Sequence, residues 1–394
     1  MASLFNNTKD AFSLKSDSEL FRARFLFNII HNSFLVKLGS LVTNFALKFH
    51  LPVKPIIKAT VYNHFCGGEN EKDCEINIKN MFKHNVYTVL DFSTEDFEKE
   101  SDFDTCFKKK ISLIEHIKSK KEIPFTVFKP TCIGKVSIFE KVSSGLALNE
   151  NERESWLRIK SRFHGICIKA KENNIKVLID AEEFLVQKAI DQLALEMILN
   201  YNKNKVFIYN TIQMYRRDRL QYMKKLILEY PQVLFGFKLV RGAYMEKERK
   251  LALKYKHKSP ICKNKLATDK NFDAAIDFIF ENLNQISFVC GSHNENSTQK
   301  IINLMKGHKL DKSDNRVWFG QLYGMSDNIS FNLAKNKYNV FKILPFGPVR
   351  NLIPYLLRRA EENSSVRGQS GRELKLIRKA VSYTHLTLPT ILLV

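Results

Sequence analysis

The chain has 394 residues, 44% of them apolar, and a formal charge of +22. That apolar content can fill one large core or two ordinary ones and excludes a disordered chain. The charge raises nucleic-acid binding as a class. However, the lysines are scattered, with no basic block, zinc finger or aromatic-basic motif, so they read as a well-solvated surface able to rest on an anionic membrane.

The opening stretch, "MASLFNNTKDAFSLKSDSELFRARFLFNII", carries acidic residues and lacks a basic region followed by an apolar one. It predicts neither a secretory signal nor a transit peptide. No apolar run reaches the roughly 20 residues a membrane span needs. Residues 1–58 read as a helical segment closed by "LPVKP". The seven cysteines are scattered without a CxxC pair, which argues for a reducing compartment and against a structural metal. The expected location is cytoplasmic, peripheral to the inner face of a membrane.

From residue 59 onward a strand-then-helix rhythm sets in. Short β-branched or aromatic runs occur at Val86–Phe92, Pro124–Phe128, Lys176–Asp180 and Val206–Asn210. Four more follow at Phe235–Val240, Ile286–Cys290, Val317–Leu322 and Val340–Leu344. Longer helical stretches such as "AIDQLALEMILNYN" separate them, and parallel strands need such crossovers. Eight units predict an α/β chain folded as a (βα)8 barrel over residues 59–371, and no GxGxxG supports a doubly wound sheet. Residues 372–394 read as a tail, and its last stretch, "VSYTHLTLPTILLV", as a disordered or cloning-derived extension.

In such a barrel, function collects where strands end. Lys129 ends the second run, Asp180 the third, and Gln213 lies just after the fourth. Lys238 and Arg241 belong to the fifth, His293 follows the sixth, and Gln321 with Leu322 sits at the seventh. Singly, each has an ordinary explanation: Asp180 in "DAEE" as a helix cap, Lys129 as a loop cation, His293 as part of a turn. Caps do not explain cations and an acid inside apolar strand ends. A shared mouth would let Asp180 balance Lys129 and Lys238 while surplus positive charge awaits an anionic ligand.

Near the end, "PYLLRRAEENSS" places Tyr355, Arg358, Arg359 and Glu362 on one helical stripe. One reading is an exposed stripe with an Arg358–Glu362 ion pair. The other is a clamp in which adjacent guanidiniums grip a carboxylate and Tyr355 covers its apolar part.

Several of these motifs, in this order, resemble the short monofunctional proline dehydrogenases: "HFCGGE", "LIDAEE", "KLVRGAY", "GSHNE", "FGQLYGMSD" and "YLLRRAEEN". The resemblance implies a distorted (βα)8 barrel with non-covalent FAD. It implies oxidation of L-proline to Δ1-pyrroline-5-carboxylate by hydride transfer to flavin N5, with electrons passed to a membrane quinone. Carried onto this chain, it sets the proline carboxylate against Arg358 and Arg359, with Lys129, Leu322, Tyr355 and Glu362 lining the pocket. It assigns Asp180 and Lys238 to the reaction centre, and Gln213, Val240, Arg241, Gly242, Ala243, Ser292 and His293 to the flavin.

Two departures stand out. Lys238 occupies a position where some relatives carry Arg, and Ile343 one where an aromatic is frequent. Two other classes compete: a barrel lyase or aldolase using Lys129 or Lys238 as a Schiff-base nucleophile, and a non-catalytic basic RNA-binding barrel.

Overall fold

The computed structural model describes residues 4–49, 52, 54–92, 97–256, 258–365 and 369–386. Eight strands alternate with helices: β1 (Val86–Phe92), β2 (Phe125–Phe128), β3 (Lys176–Ile179), β4 (Ile208–Gln213), β5 (Phe235–Val240), β6 (Ile286–Gly291), β7 (Val317–Leu322) and β8 (Val340–Phe346). They form one eight-stranded sheet in the order β1-β8-β7-β6-β5-β4-β3-β2, the cyclic order of a (βα)8 barrel. By its contacts the chain divides into two units. One comprises Met1–Thr88, His293–Glu295 and Gln321–Val394, the other Val89–Ser292 and Asn296–Gly320.

The second unit is built on β2 to β6, all parallel, with Thr211 opposite Lys238 and Gln213 opposite Val240. Parallel strands covered on both faces read as apolar runs, and every residue of "FTVF" in β2 is buried. The crossover helix Phe184–Tyr201 buries Val186, Ala189, Ile190, Leu193, Ala194 and Met197, the spacing of one helical face. Helix Glu150–Glu172 starts at a capping box, in which Asn149 Oδ1 accepts from Glu152 N at 2.9 Å and Glu152 Oε2 from Asn149 N at 3.0 Å.

The first unit has its own core. Helix α1 (Asp17–His31) buries Leu20, Ala23, Phe27 and Ile30; helix α2 (Ser33–Lys48) follows it. Helix α3 (Asp327–Lys335) precedes β8; α4 (Val349–Ser365) and α5 (Gln369–Leu386) close the chain. Leu374, Ile377 and Val381 of α5 and Leu352, Ile353 and Leu356 of α4 join the α1 residues in one cluster. Each large apolar side chain buried this way stabilises by about 1.5–3 kcal/mol. All seven cysteines are free and buried.

Two boundaries expected from sequence fall inside helices. The stretch Lys54–Phe65 is continuously helical across residue 58, with a π-helical turn at Lys58–Tyr62. At the other end α5 runs through residue 371 and takes in Val381–Leu386 of the supposed extension, because Ala380 and Val381 complete its buried face. The rest of that stretch, residues 387–394, lies outside the described residues.

Candidate active site

In the second unit the parallel strands carry Lys129, Asp180, Gln213, Val240–Ala243 and Ser292 to their C-terminal ends. Gln213 is the last residue of β4 rather than a loop residue, because β4 begins and ends later than its apolar run suggested. Lys238 is 5% exposed, and its Nζ donates to Asp180 Oδ1 at 2.5 Å. The expected compensation of Lys238 by Asp180 is thus present. A buried ammonium without such a partner would cost several kcal/mol.

Arg241 is also engaged. Its Nε donates to Asp269 at 2.7 Å, and its terminal nitrogens donate to Ser292 Oγ at 2.9 Å and Ser297 Oγ at 3.0 Å. Its guanidinium lies 4.4 Å from the centre of the Phe272 ring. The cation is held in one orientation by four neighbours, as a planar fork allows. Gly242 follows at φ +120°, and a Cβ there would sit 2.3 Å from Tyr215 Cδ1. Gly242→Ala is therefore expected to cost about 1–3 kcal/mol of stability, read as a lowered denaturation midpoint. An unchanged midpoint would show that Tyr215 and the turn yield freely.

Glu182 escaped sequence reasoning, which took "DAEE" as cap residues. It is buried and accepts from Thr131 N at 2.8 Å and Thr131 Oγ1 at 2.5 Å. Burial pushes its carboxyl from the ordinary 4.5 up to about 7, against the Thr131 bonds and the nearby Lys129 charge. The folded chain then keeps a proton that the unfolded chain loses. The resulting stability is present below pH 4.5 and is lost as pH rises through about 7. Glu182→Gln is expected to flatten that fall in melting temperature in part, since Glu373 is also pushed up to about 7 by burial. A slope equal to wild type would show that Glu182 does not titrate in this window.

The first unit holds the remaining candidates. His293 Nδ1 is 2.9 Å from Ser326 Oγ, and Ser326 N donates to Glu373 Oε2 at 2.9 Å. Ser326 stands at φ 52°, a left-handed position at the start of α3. Burial, then the Lys342 and Arg359 cations, holds the His293 imidazole down at about 3, so it is neutral near pH 7. Leu322 ends β7 and packs on the unit's core. Tyr355 is 6% exposed, Arg358 and Arg359 are partly buried, and the Arg359 guanidinium lies 5.4 Å from the Tyr355 ring centre. The exposed-stripe reading of "YLLRR" does not hold. Glu362 falls in α4, but its side chain lies outside the described residues.

Lys342 is a second residue that sequence reasoning passed over, although a cation inside the apolar run of β8 is the same signal as Lys238. It is 1% exposed, pairs with Asp327 at 2.8 Å, and donates to Met325 O at 2.5 Å and Leu322 O at 3.4 Å. Burial alone would raise the Asp327 carboxyl, but Lys342 and then Lys15 hold it below the usual carboxylate range. Ile343, the departure noted in this strand, is its one partly exposed position.

A family profile described as proline dehydrogenase matches residues 74–372. The chain belongs to the proline dehydrogenase family. The carbapenem antibiotics biosynthesis protein CarD of Pectobacterium carotovorum is 33% identical over 318 residues, 80% of this chain and 82% of that protein. The mitochondrial proline dehydrogenase 1 of Dictyostelium discoideum is 28% identical over 424 residues, 95% of this chain and 74% of that one. Among solved structures, proline utilization A (PutA) from Bdellovibrio bacteriovorus inactivated by N-propargylglycine superposes with a TM-score of 0.71 at 21% identity. The match takes in 93% of this chain but 37% of that longer protein. The likeness is one of fold, the (βα)8 barrel. Membership of an enzyme family that oxidises proline displaces the lyase and RNA-binding readings.

Proposed function

We propose that this chain oxidises L-proline to Δ1-pyrroline-5-carboxylate with non-covalent FAD and passes the electrons to a membrane quinone. We further propose that it works in the cytoplasm, peripheral to the inner face of that membrane, with residues 59–371 as its catalytic region. Family membership supports the substrate. The observation that carries the flavin reading is the set of polar groups on one face of β4. Thr211 Oγ1 and Gln213 Oε1 are buried without a hydrogen-bond partner among the described residues, opposite Lys238 and Val240. Such groups are costly unless a ligand satisfies them, and the ring system of FAD offers matching donors and acceptors.

Proline must lose a proton from its ring nitrogen and a hydride from C5. When bound, FAD supplies the two-electron sink for that hydride. Arg358 and Arg359 bind the carboxylate; Tyr355 and Leu322 hold the ring, and Lys129 and Glu362 complete the pocket. Lys238, kept in place by Asp180, supplies positive charge where the acceptor becomes electron-rich. Gln213, Val240, Ser292 and neutral His293 hold the cofactor, Arg241 orients Ser292, and Gly242 with Ala243 allows close backbone approach.

The test is the visible spectrum of purified protein before and after anaerobic L-proline. A flavin spectrum that bleaches on addition supports cofactor and substrate together. A flavin spectrum that proline leaves unchanged removes the substrate, and folded protein that stays colourless after FAD reconstitution removes the cofactor.

A further inference from the structure

The turns that follow β2 and β3 each carry a residue of the proposed site, Lys129 and Asp180. The ladder joins the two strands as far as its end: Phe128 is opposite Ile179, and Asp180 N donates to Phe128 O at 3.0 Å. Beyond that bond one chain enters the 3-10 turn Pro130–Ile133, and the other leads into helix Phe184–Tyr201. The next link between them is Glu182. One of its carboxylate oxygens accepts from Thr131 N and the other from Thr131 Oγ1, so a single side chain grips the first turn at two points.

Glu182 is itself anchored from behind. Its N donates to Gln187 Oε1 at 2.7 Å, Gln187 Nε2 donates to Asp191 Oδ1 at 2.9 Å, and Asp191 Oδ2 accepts from Arg219 Nη1 at 2.5 Å. All four side chains are buried, where linked hydrogen bonds strengthen one another. Nearby, Phe184 N donates to Glu248 Oε1 at 2.6 Å, which braces the same segment against the helix that follows β5. Asp180 is already held by Lys238 and by the ladder. Lys129 depends on the gripped turn, which it directly precedes and to which Cys132 N, donating to Lys129 O at 3.0 Å, ties it. An apolar residue would fill the space of Glu182 without the cost of desolvating a carboxyl, so packing alone does not account for this side chain. We propose that Glu182 is a positioning residue for the proline reaction, setting Lys129 in the substrate pocket by gripping the turn at Thr131. The inference rests on the proline reading of the site, in which Lys129 lines that pocket.

The experiment compares Glu182→Ala and Glu182→Gln in the FAD-loaded full chain, each with and without Lys129→Met, using proline and a dye as electron acceptor. Glutamine offers an oxygen to Thr131 N and an amide donor to Thr131 Oγ1, so its proline KM should stay within about threefold of wild type. Alanine should raise that KM about tenfold, with kcat changed less than about threefold and FAD per chain unchanged. In the Lys129→Met background the alanine change should add less than about twofold, because the residue it places is gone. Independently of turnover, hydrogen exchange at the amides of residues 131–133 should quicken in the alanine variant and match wild type in the glutamine one. An alanine KM within about twofold of wild type, an equal effect with Lys129→Met, or no rescue by glutamine overturns the inference. Should Glu182→Ala not fold, Thr131→Val deletes the hydroxyl bond alone and takes its place, with an expected rise of about threefold. Wild type that holds FAD but ignores proline overturns the reading of the site and the inference with it. Wild type that turns over while the alanine KM stays unmoved overturns the inference alone.

Discussion

Arg359→Met is expected to raise the proline concentration for half-maximal turnover about 10- to 100-fold while FAD absorbance per chain stays at the wild-type level. The magnitude is that of a charged hydrogen-bonded contact, about 1.5–3 kcal/mol. One observation makes Arg359 the stronger arginine for this role. Its guanidinium lies over Tyr355, 5.4 Å from the ring centre, so little side-chain freedom remains to be lost on binding. Methionine keeps much of the stem's volume and its packing on the ring while deleting the charge, so the change tests recognition rather than folding. Unchanged proline affinity would remove the clamp. Loss of flavin together with proline affinity would instead mean that Arg359 supports the fold of α4.

The second large effect concerns stability. Lys342→Met should lower unfolding free energy by about 3–5 kcal/mol, because removing one member of a buried pair leaves the other uncompensated. Among the described residues Asp327 would keep Lys15 at 3.5 Å as its ion-pair partner, and the carbonyls of Leu322 and Met325 would each lose one donor. The paired change Lys342→Met with Asp327→Leu should recover much of that loss, since apolar groups of similar size often replace a buried ion pair at little cost. Urea titration of the three proteins at neutral pH measures this. A single variant within about 1 kcal/mol of wild type would show that the pair is well solvated.

The eight-unit fold was legible because parallel strands covered on both faces are uninterrupted apolar runs, and β1, β5 and β7 coincide with theirs. Where polar residues are buried, the run misleads. In β4 the sequence "NTIQ" looks like the start of a loop, yet Asn210 Nδ2 donates to Asp191 at 3.0 Å and the strand continues to Gln213. The Lys238–Asp180 pair could be anticipated from charge balance alone. The environment of Arg241 could not: its partners Asp269, Ser292 and Ser297 are 28 to 56 residues away, on elements whose juxtaposition only the fold decides. The exposed apolar side of α2 was equally hidden, since "FLVKLGSLV" does not reveal which of its side chains the core will cover.

The packing of α1 against α5 has a consequence for how the chain is made. Arg378 donates to Asn28 across 350 positions of sequence, and the core that buries α1 includes Leu374, Ile377 and Val381. At about 5–20 residues per second on a ribosome, α1 waits tens of seconds for those partners. During that interval both of its apolar faces are open, one awaiting α5 and the other bearing Phe21 and Phe25. The nascent chain thus presents α1 long before the elements that cover its inner side. Chaperone dependence should therefore last from the emergence of α1 to that of α5.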